Sequence, residues 1–305
     1  MNRRGETVGR GIAAVGGFFI LFVTGAIVLF LFLRGIRTFT QFDHTLSEFL
    51  FSADWSPSNS FTAGEGKVGA AVFIVGSLIT CLLSVAVVTP FALATAVLIT
   101  EILPALGEKM LRPIIEIFTG IPSIVYGWMG LTVLVPWIRD TFQAPVGGYS
   151  VLAAVVVLSV MIFPTVTTMA ADAILSIPVS HRMAAYGLGA TKSQVIFHIV
   201  LSEAKPGILA GIILGLSRAF GEALAVAMVI GRTRLFAKGL LYPTNNITGV
   251  IASDMGNTID GSESNAALWT LALLLLLISM FFIVMIHRVS DRRENKEKKM
   301  KKESA

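Results

Sequence analysis

Six apolar runs decide what this chain can become. Gly11–Leu33, Val68–Thr100, Ile114–Ile138, Ser150–Ala171, Gly207–Gly231 and Ala266–Ile286 each approach or exceed the roughly 20 residues that span about 30 Å of hydrocarbon. Lipid offers no hydrogen-bond partner, so runs of this length must close their backbone bonds internally, as helices. Composition agrees: 54% of the 305 residues are apolar and 14% are charged, against about 25% charged in a soluble domain. The mean hydropathy is +0.78. The reading is an all-α integral membrane protein with six transmembrane helices. The second run is longer than a bilayer requires and is expected to tilt, protrude or kink near Pro90. The first follows Arg3, Arg4 and Arg10 as a signal peptide would. It continues into FLRGIRTFTQ with no small-residue cleavage pattern, and reads as a retained helix.

Cations orient the spans. With a cytoplasmic N-terminus, one side carries Arg3, Arg4, Arg10, Lys109, Arg112, Arg182, Lys192, Lys205 and the tail cations from Arg288 onward. The other carries only Arg34, Arg37, Lys67, Arg139, Arg232, Arg234 and Lys238. The bias places both termini in the cytoplasm. The expected organisation is a first helix and external loop over residues 1–67, a transmembrane core over 68–288 and a basic tail over 289–305. That tail reads as a solvated stop-transfer segment in contact with lipid headgroups. The net charge of +5 does not mark a nucleic-acid protein, because the cations form no patch interleaved with aromatics. The single Cys81 excludes a disulfide framework.

No phosphate-binding GxxxxGK[ST], Rossmann fingerprint, HExxH or GxSxG occurs, and the four histidines are scattered. The chain shows no ATPase machinery and no hydrolase site of its own, and reads as a non-enzyme with no cofactor or metal of its own. Uphill transport would draw on an ion gradient or another subunit.

Two stretches carry candidate function. The cytoplasmic connection over residues 172–206, DAILSIPVSHRMAAYGLGATKSQVIFHIVLSEAKP, predicts a short helix capped by Ser180. A bend at Gly187 and Gly189 follows, then an amphipathic helix along the membrane surface with Val195, Ile196, Ile199 and Val200 on one side. Ala184, Ala185, Leu188 and Gly189 form a small-residue face suited to a groove on a partner; the alternative is a connector lying on the bilayer.

The second stretch is LSRAFGEALAV, where Arg218 and Glu222 are the only charges between Gly207 and Gly231. An arginine at a membrane-helix centre costs about 2.5–3.5 kcal/mol on insertion scales. On a continuous helix, four-residue spacing places both side chains on one face, about 18 Å from the cytoplasmic end for Arg218. The pair is either a self-neutralised structural unit or an anion pathway. In the second case the guanidinium meets oxyanion oxygens and Glu222 holds it between substrates.

MAAYGLGATKSQVIFHIVL resembles the loop signature of ABC-importer permeases, EAA, three residues, G, nine residues, I-x-L-P. Met183 stands at the Glu position and Ser202 at the Pro position. AYGLGAT with IVL, GIPSIVYGWMGL (Gly120–Leu131), the stretch Ser52–Thr80 and GLSRAFGEALAVAMVIG are similar to the phosphate-importer branch, and within it to PstC subunits. The likeness runs from about residue 50 to 287. It implies a type I ABC-importer permease fold in the cytoplasmic (inner) membrane. It also implies that the segment with Ala184, Ala185, Gly187, Gly189, Ala190 and Thr191 docks into an ATPase. The partners implied are a PstA-like second permease, a PstB-like ATPase dimer and an extracytoplasmic PstS-like phosphate-binding protein. The rivals are an ABC permease for sulfate or molybdate, and a secondary anion transporter, against which stands the lack of an inverted repeat.

Overall fold

The computed structural model describes residues 3–62 and 64–303. The side chains of residues 1–8, 12 and 289–305, and with them Arg3, Arg4 and the expected lipid contacts of the basic tail, lie outside the described set. The chain divides into two compact units: Met1–Ala70 with Asp254–Leu274, and Ala71–Ser253 with Leu275–Ala305.

In the first unit, α1 (Arg3–Gly35) leaves Phe18, Phe19, Leu21 and Phe22 exposed. Water would exclude such a surface, whereas lipid accepts it. Beyond it, Thr45 caps α2 (Leu46–Phe51) by accepting the Glu48 amide. The strands β1 (Trp55–Ser56) and β2 (Lys67–Val68) then pair antiparallel, Trp55 opposite Val68. Phe42, Phe49, Trp55 and Val68 are buried, so this loop has its own small core.

In the second unit, α3 (Ala71–Val97) passes through Pro90 without a break and continues in a wider π-type turn over Leu98–Ile102. The third run departs from expectation. It folds as α4 (Pro104–Gly120) and α5 (Ser123–Phe142), bent by 90°. The cause is local: Pro122 has no N–H, and the residue before a proline is pushed out of helical backbone, as Ile121 is at φ −69°, ψ 126°. α6 (Val151–Leu175) is central, with α3 packed along one side and the helix Leu201–Gly221 along another. Ser84 Oγ donates to the Val155 carbonyl at 3.2 Å, and Ser159 Oγ donates to the Ser84 carbonyl at 3.2 Å. Those two bonds tie α3 to α6.

After α7 (Val179–Gly187) comes α8 (Lys192–Gly221). The amphipathic helix expected on the membrane surface is therefore the first half of the fifth span itself, with Val195, Ile196 and Val200 buried and Ile199 half-buried. α8 meets α6 closely, since a Cβ on Gly215 would lie 2.6 Å from Val166 Cγ2. The expected fifth span to Gly231 is not continuous: α8 stops at Gly221 and α9 covers Leu224–Val229. A loop pinned by Thr244, whose N–H donates to the Ile230 carbonyl and whose carbonyl accepts the Thr233 N–H, leads to α10 (Ile247–Asp254). The last helix, α11, covers Glu263–Glu303. Among the described residues, five helices are long and apolar enough to cross a membrane, and the bent α4–α5 pair makes a sixth span.

Candidate functional site

Arg218 sits in the last turn of α8, where the helix's negative end favours a cation. Because α8 begins at Lys192, Arg218 lies about 39 Å from its start, not the 18 Å expected from a helix starting at Gly207. Its depth in the bundle nevertheless is central. The Arg218 Nη1 donates to Thr165 Oγ1 at 2.8 Å, and Thr165 stands on α6 about 21 Å from Val151 and about 15 Å from Leu175. The Arg218 side chain is exposed on this chain. Tyr126, within electrostatic reach of Arg218, donates its hydroxyl to the Phe118 carbonyl at 2.7 Å across the α4–α5 bend. The guanidinium thus lies near both helix breaks.

Glu222 does not share a face with Arg218. The i,i+4 relationship requires an unbroken helix, and Glu222 has extended backbone, φ −76°, ψ 122°. Its Oε1 accepts the Ala225 N–H at 3.0 Å, and its carbonyl accepts the Thr248 hydroxyl at 2.6 Å. From the residue before the Ala223 cap position, Glu222 therefore satisfies an amide in the first turn of α9. Among the described residues no carboxylate pairs with Arg218. The two glycines that flank Arg218 differ: the space beside Gly215 is filled by Val166, while Gly221 faces open space.

The helix–bend–helix over 172–206 forms, with changes of detail. Pro178, not Ser180, occupies the cap position of α7, and no side chain caps it. Gly187 ends the helix, and the turn falls on Gly189 at φ +82° with nothing near its Cα hydrogens. Thr191 and Gln194 then form a capping box that starts α8. The expected small-residue face splits. Ala184, Leu188 and Gly189 are exposed, Leu188 at 90%, whereas Ala185 and Ala190 pack half-buried against the core cluster that includes Ile174, Ile177 and Val195. Val179, Met183 and Tyr186 add exposed apolar surface.

Sequence reasoning missed the ion pairs that hold α7. Arg182 Nη2 donates to Glu101 Oε1 at 2.8 Å and to the Ile174 carbonyl at 2.9 Å. His181 Nδ1 lies 2.8 Å from Glu203 Oε2. Partners this far apart in sequence follow no local spacing rule; a cation on a short helix flanked by two spans is the only linear sign.

Among the described residues, five membrane-length apolar helices with a sixth, bent span, and a short helix–bend segment between the fourth and fifth of them, define a multi-pass membrane protein. Residues 89–296 match the family of binding-protein-dependent transport system inner membrane components. The chain belongs to that family. It is 42% identical over 289 residues to a probable ABC transporter permease, YqgH of Bacillus subtilis, covering 95% of this chain and 92% of the relative. It is 33% identical to the phosphate transport system permease protein PstC of Xylella fastidiosa strain Temecula1, covering 82% and 80%. The PstC of Pasteurella multocida is 32% identical, covering 89% and 90%. Among solved structures, a bacterial alginate ABC transporter chain superposes with a TM-score of 0.58 at 17% identity, covering 95% of this chain and 96% of that one. A MetNI methionine transporter chain gives 0.51 at 21%, covering 72% and 96%. These two likenesses establish the permease fold.

Proposed function

We propose that this chain is the PstC-type permease subunit of an ATP-driven phosphate importer. The observation that carries the chemistry is Arg218: a guanidinium at mid-depth, on an open face, held by a neutral hydroxyl and not by a carboxylate. Phosphate is a hydrated anion that an apolar tunnel rejects by several kcal/mol or more. Planar paired donors match its oxygens. A guanidinium bonded to Thr165 keeps donors available, where a carboxylate partner would compete for them. Similarity to PstC proteins over more than four fifths of the chain supports phosphate over other oxyanions. In this reading a PstA-like permease completes the pathway beside Arg218. A PstB-like ATPase dimer takes the α7–Gly189 projection, and a PstS-like protein delivers phosphate from outside. Both termini face the cytoplasm.

The test is uptake of radiolabelled phosphate into proteoliposomes holding the four-component complex. Arg218→Gln should abolish uptake with the complex intact, and excess sulfate or molybdate should not compete. Competition by sulfate at equal concentration would move the substrate to another oxyanion.

A further inference from the structure

α7 is a nine-residue helix with no buried residue, yet it carries the surface that, on the reading above, receives the ATPase's motion. A helix this short holds no shape or place by itself. Something other than apolar burial fixes it. Of its side chains, Ala185 is half-buried and contributes one methyl. The polar tethers are the remaining candidates, and they are unequal. The His181–Glu203 pair is 44% and 40% exposed, so water screens it and its contribution is small. The Arg182–Glu101 pair is 17% and 14% exposed, and Arg182 Nη2 also binds the Ile174 carbonyl.

We propose that Arg182 is a positioning residue that transmits α7 movement to the spans. One guanidinium joins three elements: α7, the π-type turn Leu98–Ile102 that ends the second span, and the final turn of α6. A push on α7 therefore moves the second and fourth spans, and the fourth carries Thr165, the partner of Arg218. A shielded ion pair is directional and stiff, whereas a greasy contact lets a short helix slide. Among the described residues the buried Arg182 Nε has no acceptor, so the guanidinium has donor capacity for a second arrangement of the same elements. This inference rests on α7 being the ATPase-docking helix.

The experiment measures ATP hydrolysis and phosphate uptake together in proteoliposomes holding the full complex, for Arg182→Met, Glu101→Gln, Arg182→Lys, the swap Arg182→Glu with Glu101→Arg, and Leu188→Glu. Arg182→Met and Glu101→Gln should assemble with the ATPase and hydrolyse ATP, while phosphate moved per ATP falls about fivefold to tenfold, the lower end of a typical coupling free energy. The swap and Arg182→Lys should recover part of that ratio. An unchanged ratio in both single variants overturns the proposal. So does loss of folded complex in both, which would make the pair structural only. Leu188→Glu tests docking separately: if it leaves ATPase binding intact, the docking reading fails whatever the Arg182 variants do.

Discussion

His44 Nε2 lies 2.6 Å from Oε1 of Glu263, a side chain with no exposed surface. The other oxygen of Glu263 accepts the Ser58 N–H at 2.9 Å, and His44 Nδ1 lies 3.1 Å from Glu48 Oε2. Burial opposes charge on His44, but the two carboxylates outweigh it and its pKa is raised above the usual histidine value. A raised folded pKa contributes stability that is complete below the unfolded value of about 6.5 and is lost as pH rises through the folded value. Thermal unfolding of the purified chain should therefore shift to lower temperature as pH rises above neutrality. His44→Gln should be less stable at low pH and nearly flat across the same window. Parallel profiles for the two proteins would rule this out.

Arg218→Gln keeps hydrogen bonding to Thr165 and removes the charge. Uptake should fall by at least about tenfold, equivalent to about 1.4 kcal/mol, with normal complex yield. Thr165→Val should lower uptake less, since it frees the guanidinium without neutralising it. Transport assays with a yield control check both.

Glu222 acts on α9, so its variants should separate from those of Arg218. Glu222→Gln retains an acceptor for the Ala225 N–H and should transport normally. Glu222→Ala should destabilise the chain by about 1 kcal/mol, as a lost cap does. Recovery of transport in Arg218→Gln combined with Glu222→Gln would contradict the absence of a pair.

Leu188 is 90% exposed, so Leu188→Glu should leave the permease's own stability within about 0.5 kcal/mol of wild type. It should nevertheless abolish co-purification of the ATPase in mild detergent. Gly189 is a poorer probe, because any side chain at φ +82° strains the backbone as well as filling space.

The proposed orientation predicts labelling. In a Cys81→Ser background, Ser193→Cys should resist an impermeant maleimide in intact cells, and Ser56→Cys should react. Both positions are exposed, so a reversed pattern would invert the topology.

The sequence by itself determined the helical class and the number of spans, because about 20 apolar residues in lipid leave the backbone no alternative to a helix. It also placed the α7–Gly189 bend, where one glycine at φ +82° and one capping box act over a few residues. Span continuity was another matter. Gly207–Gly231 carries no charge apart from Arg218 and Glu222, and hydropathy is blind to backbone direction. The break after Gly221 is held by Thr248, by the capped Ala225 and by a loop tied to Ile230 and to Ser77. Only tertiary structure could therefore turn an apparent Arg218–Glu222 pair into Arg218 with Thr165 and Glu222 with α9. Equally, Arg182 with Glu101 and His44 with Glu263 join residues 81 and 219 apart. Charge partners chosen across that distance depend on which helices pack together, and no local spacing encodes it.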